Sequence, residues 1–334
     1  MKLEDIGFYS LSDDRAKYSS PTSQMKRCEM IITEYCNFKC NYCRGLRKDI
    51  YGERQIKQLS LNEIKYNIDQ WCKNMPLENI RFSGGEPTLH RNIVEIVDYA
   101  KEKDIKRIAI STNGSSKFEL YERLVDAGCN DFSISLDACC ASAGDKLAGK
   151  DNSWEQVVLN ISKLSKLTYV TVGIVLTPDN VQDIKNIVEY AYSLGVSDIR
   201  IIPSAQWDNK MTGDTIPEWV TETNPILKYR LNNIREGRHV RGIKDSDTNR
   251  CPLVIDDSVI AGGFHFPCVI YMREQGDPIG KITDQMREER VDWFKNKDTH
   301  KDTICRKNCL DVCIDYNNKA MKTNDFIKRE LVNV

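Results

Sequence analysis

The sequence has no apolar run long enough to cross a bilayer, so it predicts no membrane-spanning helix. It has no excess of one charge either: 48 Lys and Arg stand against 49 Asp and Glu, a net charge of -1. That excludes a global basic field drawing the chain to nucleic acid or membrane, and leaves a local basic patch as the one route to DNA. The opening stretch MKLEDIGFYSLSDD lacks the basic start and apolar middle of a signal peptide, which makes the cytoplasm the expected location. There is no low-complexity tract and no internal repeat beyond a βα rhythm. No G-x-G-x-x-G follows the first predicted strand, which argues against a dinucleotide-binding open sheet.

What is abundant is cysteine, with 13 in 334 residues. An odd count argues against a fully paired disulfide framework, and in a cytosolic chain such enrichment points to metal or redox chemistry. The placement is uneven. Cys36, Cys40 and Cys43 crowd one short stretch, while Cys251, Cys268, Cys305, Cys309 and Cys313 gather near the other end. Cys28, Cys72 and Cys129 are scattered and read as core residues.

Residues 28–203 alternate between short β-branched runs and segments of helical spacing. The predicted strands are CEMIIT (28–33), NIRFS (79–83), RIAIST (107–112), DFSISL (131–136), YVTVGIVL (169–176) and DIRIIP (198–203). Ser60 with Glu63 three residues on forms a capping box, and Gly128 and Gly195 fall just past predicted helix ends. Nearly continuous apolar runs suggest strands buried on both faces. Six βα units in a row predict an α/β fold, a parallel sheet that right-handed crossovers curl into a partial (β/α)6 barrel. The expected organisation is an N-terminal extension (1–27), the barrel (28–205), a polar linker with a helix near 224–236 (206–250), and a small appended C-terminal domain (251–334) ending in a polar helical tail.

The stretch ITEYCNFKCNYCRG (32–45) directly follows the first strand, so its thiols lie on the rim where active sites of parallel βα sheets gather. Three thiolates suit a soft metal centre. A structural zinc wants four ligands. An iron–sulfur cube held by three cysteines has one iron left for a small molecule. From spacing alone a zinc site, loose thiols and a cube all stand.

C-x3-C-x2-C after the first strand, with the aromatic Tyr42 before the last cysteine, resembles the signature of the radical S-adenosylmethionine (SAM) superfamily. The resemblance covers roughly residues 28–203. It implies that Cys36, Cys40 and Cys43 hold a [4Fe–4S] cluster whose open iron chelates SAM. Reductive cleavage of SAM then gives a 5′-deoxyadenosyl radical that abstracts hydrogen from substrate. An external electron donor such as flavodoxin or ferredoxin is implied. SGGEP (83–87) at the end of the second strand resembles the motif that meets the methionyl amino group, which makes Gly84, Gly85, Glu86 and Pro87 candidates. Thr112 and Asn113 of STNG end the third strand and could hydrogen-bond the ligand, the alternative being an Asn-Gly turn. The resemblance puts Ser135 near the methionyl carboxylate or ribose and Val175 near the adenine. Ser204 and Gln206, after the sixth strand, could face substrate. In SLDACC (135–140), Asp137 is a candidate general base. Cys139 and Cys140 are candidate hydrogen-atom donors, or else small buried residues.

Cys251 and Cys268 bracket a predicted hairpin turning at Gly262–Gly263. Their spacing resembles the opening of SPASM and Twitch domains, which carry auxiliary iron–sulfur clusters. The SPASM pattern supplies seven cysteines for two clusters, whereas five stand here, which implies one auxiliary [4Fe–4S] cluster as in the Twitch type, closed by four of the five with one possibly spare, or held by three with an open iron. A structural zinc ribbon is the alternative. His265 and His300 could ligate but read as packing residues.

The leading expectation is a radical SAM enzyme, an oxidoreductase or isomerase. An auxiliary cluster would aid substrate oxidation or binding. Its substrate would be a small molecule, nucleoside or modified base. About 27 residues precede the first strand, too few for an N-terminal leader-binding module, which disfavours a ribosomal-peptide maturase. Met1 to the cysteine loop, with SLDACC, resembles radical enzymes of phage DNA hypermodification that rearrange an amino-acid substituent on thymine. DNA would need a basic surface, and KYRLNNIREGRHVRGIK (228–244) is the suited segment. A non-enzymatic alternative is a zinc-stabilised binding module.

Overall fold

The computed structural model describes residues 14–44, 58–207 and 215–332. Residues 1–13 of the expected N-terminal extension and 208–214 of the expected linker lie outside the described residues. The six predicted strands form as β1 (Arg27–Thr33), β2 (Asn79–Gly84), β3 (Arg107–Thr112), β4 (Asp131–Ser135), β5 (Tyr169–Leu176) and β6 (Asp198–Pro203). They pair in parallel and in chain order. An order that never reverses is the singly wound arrangement of a barrel, not that of a doubly wound sheet. The intervening helices are α1 (Leu61–Cys72), α2 (Ile93–Glu102), α3 (Phe118–Ala127), α4 (Ala141–Ala148), α5 (Trp154–Leu164) and α6 (Ile184–Ser193). Ser60 and Glu63 make the expected capping box, and Gly128 ends α3 at φ +119°. Helix α4 was not foreseen, because ASAGDKLA has too little apolar periodicity to announce it.

Alternation along the strands sorts the sheet into two chemistries. Met30, Ile80, Phe82, Ile110, Phe132, Ile134, Val172 and Ile201 share the main core cluster with apolar residues of the helices, such as Ile64, Ile96, Leu124 and Ile161. The opposite parity gives Glu29, Arg81, Ser83, Ser111, Asp131, Ser133, Thr171 and Arg200, so the inner face is polar.

The chain continues through α7 (Glu218–Glu222) and α8 (Pro225–Arg235) to β7 (Asp257–Ala261) and β8 (Phe264–Phe266), joined at Gly262 with φ +61°. Then follow α9 (Val269–Arg273), β9 (Gly280–Lys281), α10 (Met286–Asn296), α11 (Thr303–Asn308), α12 (Asp311–Thr323) and α13 (Asp325–Val332). The hairpin foreseen between Cys251 and Cys268 is present, but it does not form a sheet of its own. β7 pairs in parallel with β1, and one nine-stranded sheet runs β6-β5-β4-β3-β2-β1-β7-β8-β9. Arg27 clamps Asp257 at 3.0 and 2.8 Å across that seam. A parallel pairing between strands so far apart in sequence leaves no local signature.

The helical tail, expected to be polar, packs instead. Val312, Ile314, Tyr316, Ala320 and Ile327 are buried. Tyr316 meets Ser19 at 2.5 Å, and Asn324 donates to the carbonyls of Ala16 and Ser19 at 2.9 Å. The basic segment 228–244 likewise turns inward. Arg230 pairs with Asp311, Arg238 with Asp315 at 2.6 Å, and Arg241 donates to the carbonyl of Pro203 at 3.2 Å. Three of its four arginines are therefore spent on the chain's own acceptors, while Lys228, Arg235 and Lys244 stay exposed.

Arg290 of α10 is fully buried and fastens the hairpin. Its guanidinium donates to the carbonyls of Val254 (2.6 Å), Asp257 (2.5 Å), Phe266 (3.1 Å) and Pro267 (3.2 Å), and to Nδ1 of His265 (3.1 Å). Replacing it by leucine orphans several buried acceptors at about 1 kcal/mol each. We expect Arg290→Leu to cost roughly 3–4 kcal/mol in urea unfolding of the metal-free chain. A loss below about 1 kcal/mol would show that the hairpin is held by other contacts.

Candidate active site

The first cysteine loop leaves β1 at Thr33 and lies across the carboxyl ends of the strands. Phe38, between Cys36 and Cys40, is buried in the main core and anchors it. The amide of Lys39 donates to the carbonyl of Ala148 at 2.8 Å. Gly149, at φ +58°, lies so close beneath that a Cβ would come within 2.8 Å of the Lys39 carbonyl. Asn41 donates to Asp179 at 3.1 Å. The Tyr42 hydroxyl donates to Asp137, whose other carboxylate oxygen accepts from the Val175 amide at 2.7 Å. Arg44 pairs with Glu274, just past α9. Cys36 and Cys43 are exposed and Cys40 is half-buried.

The SGGEP segment serves this loop. The amides of Gly85 and Glu86 donate to the carbonyls of Thr33 (2.8 Å) and Tyr35 (2.7 Å). A Cβ on Gly84 would stand 2.0 Å from the Thr33 oxygen, and one on Gly85 2.4 Å from that of Tyr35. The glycines thus let the second strand end approach the cysteine loop. Glu86 is buried, and its carboxylate accepts from the Thr88 amide and hydroxyl (3.1 and 2.6 Å), the Thr112 hydroxyl (2.7 Å) and the Asn113 amide (2.6 Å). Its side chain is committed to the chain's own donors. Burial still holds its carboxyl above the usual range. Pro87 opens the short turn that follows. Thr112 is buried in the same network, while Asn113 reaches the loop, donating to Asn37 at 2.8 Å and pointing its amide at the Cys36 sulfur, 3.9 Å away.

Ser135 is exposed at the end of β4. Ser204 is buried, with its amide on the Leu176 carbonyl, and Gln206 is exposed. Burial pushes Asp137 up to about 6, against the opposing pull of Tyr42 and the Val175 amide. Cys139 is half-buried, and what burial it has raises its thiol. Cys140 is exposed at the start of α4, where the Ala143 amide lowers it. Cys40 is pushed up to about 12 by burial and then by the Asp137 and Cys43 charges.

The five C-terminal cysteines come together. Cys251, Cys268, Cys305, Cys309 and Cys313 all line one cavity of about 40 Å³, whose wall includes Leu253, Ile270, Trp293, Ile304 and Ile314. Burial pushes Cys251 up to about 11, and the neighbouring thiols add to it. Burial raises Cys268 and Cys305, and the Cys313 thiol raises Cys309 most. Two N–H donors point at the sulfurs: the Tyr271 amide at Cys268 (3.4 Å) and the Asn317 side chain at Cys251 (3.5 Å). A zinc ion needs its thiolates about 2.3 Å from one point. Among the described residues no three His, Cys, Asp or Glu side chains are grouped to hold a single ion. An all-thiol set disposed around an apolar space, with N–H groups aimed at sulfur, fits a larger iron–sulfur core.

His265 is not free to ligate. One ring nitrogen meets Glu289 at 2.8 Å, the other meets Arg290, and burial pulls its pKa down to about 3. His300 is absent from the cavity wall. Cys28 and Cys129 are buried and Cys72 half-buried, as expected of core residues. Sequence reasoning missed Phe38, Asn37, Asn41 and the Arg44–Glu274 pair. Phe38 alone had a signal, an aromatic between two ligand positions.

Residues 30–191 match the Radical SAM superfamily. The chain is 29% identical over 174 residues to a probable GTP 3′,8-cyclase of Methanocaldococcus jannaschii, covering 52% of this chain and 57% of that protein. It is 24% identical over 188 residues to the probable GTP 3′,8-cyclase of Metallosphaera sedula, covering 56% and 57%. The chain thus spans about half the length of the curated relatives it matches. Among solved structures, histidine-tagged anSMEcpe with bound AdoMet superposes with a TM-score of 0.59 at 15% identity, over 92% of this chain and 98% of that one. Streptococcus suis SuiB bound to its precursor peptide SuiA superposes with a TM-score of 0.57 at 15% identity, over 82% and 65%. Residues 30–191 therefore carry a radical SAM domain. The family requires a [4Fe–4S] cluster and SAM. No helix among the described residues is long and apolar enough to cross a membrane.

The raised Asp137 carboxyl has a stability consequence. Unfolded, it ionises near 3.9, whereas folded it holds its proton to about 6. The folded state therefore loses relative stability as pH rises through that window. We expect Asp137→Asn to gain melting temperature over the unmodified metal-free chain progressively between about pH 4 and 6, and to level off above. A difference independent of pH would refute the assignment.

Proposed function

We propose that Cys36, Cys40 and Cys43 hold the [4Fe–4S] cluster that binds SAM, and that four of Cys251, Cys268, Cys305, Cys309 and Cys313 hold one auxiliary [4Fe–4S] cluster. When bound, the first cluster supplies the electron that cleaves SAM to a 5′-deoxyadenosyl radical. The observation that carries the reading is the seating of the three thiols on the strand-end rim, facing Asn113 and latched through Tyr42 to Asp137. Gly84, Gly85, Ser135 and Val175 border that rim and would receive SAM through backbone groups and the Ser135 hydroxyl. Glu86 and Thr112 position the loop from beneath. An external reductant such as flavodoxin or ferredoxin would feed the first centre.

The substrate we favour is a small molecule of the nucleoside class, as the similarity to probable GTP 3′,8-cyclases suggests. Thymine hypermodification in DNA draws less support from segment 228–244, where Arg230, Arg238 and Arg241 are committed to the chain's own acceptors. The peptide-bound structures share the fold alone, so a ribosomal-peptide maturase gains nothing from them. A second reading, isomerisation, would use Cys139, half-buried four residues past the end of β4, as the hydrogen-atom donor. Asp137 is tied at both oxygens, which suits a positioning role better than a general base.

Anaerobically purified chain should carry about eight irons. Cys40→Ala should lose about four of them and all 5′-deoxyadenosine formation with reductant and SAM. Cys268→Ala should lose the other four and keep SAM cleavage. An iron-free, zinc-loaded chain, or a Cys40→Ala chain that still cleaves SAM at the unmodified rate, would overturn the assignment.

A further inference from the structure

The polar inner face of the sheet holds one arginine without an ion pair among the described residues. Arg27 is clamped to Asp257, while Arg81 and Arg107 share Asp131, at 2.9 and 2.5 Å. Arg273 lies 3.8 Å from Glu29, which also accepts from Ser83. These ion pairs take up Asp257, Asp131 and Glu29, leaving Oδ1 of Asp131 without a hydrogen bond. The arginine without an ion pair is Arg200, on β6. Its one hydrogen bond goes to the Ser133 hydroxyl at a long 3.3 Å, and its Nε is buried without a partner. Asp198 on the same strand accepts instead from the amides of Ile226 and Leu227 in α8.

The Arg200 guanidinium passes over Gly173 of β5, where even a Cβ would come to 3.4 Å, and so reaches toward β4. Arg200 pairs in register with Gly173, and Gly173 with Ser135. That level lies two residues, about 7 Å, beneath Val175, where Asp137 latches the cysteine loop. Burial and the Arg81 charge pull Arg200 down to about 10, so it remains a cation at neutral pH. A half-satisfied guanidinium in a low-dielectric site is costly, and an oxyanion that takes two of its N–H groups relieves that cost.

We propose that Arg200 anchors an oxyanion of the substrate, a phosphate or carboxylate, and so suspends the substrate beneath the cysteine rim. This rests on the radical SAM reading of the rim above. The substrate is then an acidic small molecule, held by its charged end deep on the inner face with its reacting carbon toward the rim. Gly173 provides the passage for the arginine arm.

The test is calorimetric titration of the anaerobic, cluster-loaded chain with inorganic phosphate and, separately, acetate, each with and without SAM. We expect saturable binding of at least one anion, unaffected by SAM, with the tighter anion naming the group. Arg200→Gln should weaken it at least tenfold and Arg200→Lys less. Because an unpaired buried charge is removed, metal-free Arg200→Gln should melt no lower than the unmodified chain. Binding of neither anion, unchanged affinity in Arg200→Gln, or competition by SAM would overturn the proposal, the last by assigning the arginine to the methionyl carboxylate. Cys40→Ala, which lacks the first centre, should bind the anion as the unmodified chain does. Failure of the radical reading and failure of the anion site are therefore separately visible.

Discussion

The hydrogen bond from Tyr42 to Asp137 is the contact on which the first centre depends. A loop bearing three thiols on the open end of a sheet has little apolar surface of its own, so its shape must come from attachments. Phe38 supplies one by burial. Tyr42 supplies the other, because Asp137 is itself fixed by the Val175 amide and joins the loop to β4 and β5 together. With the Gly84–Gly85 approach on the opposite side, the loop is held from β2, β4 and β5 at once. Rigid support of this kind keeps metal ligands in place before any metal arrives.

The two faces of the sheet divide the labour. The outer face is a conventional apolar layer against helices, and it carries the stability. The inner face carries arginines, acids and serines, and among the described residues its Arg200 has no carboxylate within ion-pair distance. Functional sites commonly retain such local imbalance, and the surrounding core offsets its cost. The second cysteine group lies outside this face, behind the hairpin that Arg290 fastens. It is nonetheless tied to the first, because Arg44 follows Cys43 directly and pairs with Glu274 at the end of the helix that begins after Cys268.

Much of the fold was legible in the sequence. The strands were given by β-branched runs and the helix ends by Ser60, Gly128 and Gly195, all local signals. What escaped was non-local. The pairing of β7 with β1 joins segments separated by more than two hundred residues, and the inward turn of Arg230 and Arg238 is decided by acids on α12. Helix α4 escaped because it is short and nearly devoid of large apolar residues. In the candidate site, cysteine spacing and the SGGEP and SLD segments located the rim. The function of each side chain there was less visible. Glu86 and Thr112 look like ligand contacts by type, yet their partners are one another. Arg200 looked like an ordinary interruption of an apolar strand, and only the register across β4, β5 and β6 reveals its company.

The seam between β1 and β7 also orders events in time. Every group that shapes the first cysteine loop from the barrel side lies before residue 181, whereas the strand that completes the sheet beside β1 begins at Asp257. During synthesis, β1 therefore emerges with one edge bare and must wait for most of the polypeptide before that edge is covered. Exposed edges of this kind recruit foreign strands. The ribosome-bound chain thus has its period of greatest aggregation hazard between completion of the barrel and arrival of the hairpin.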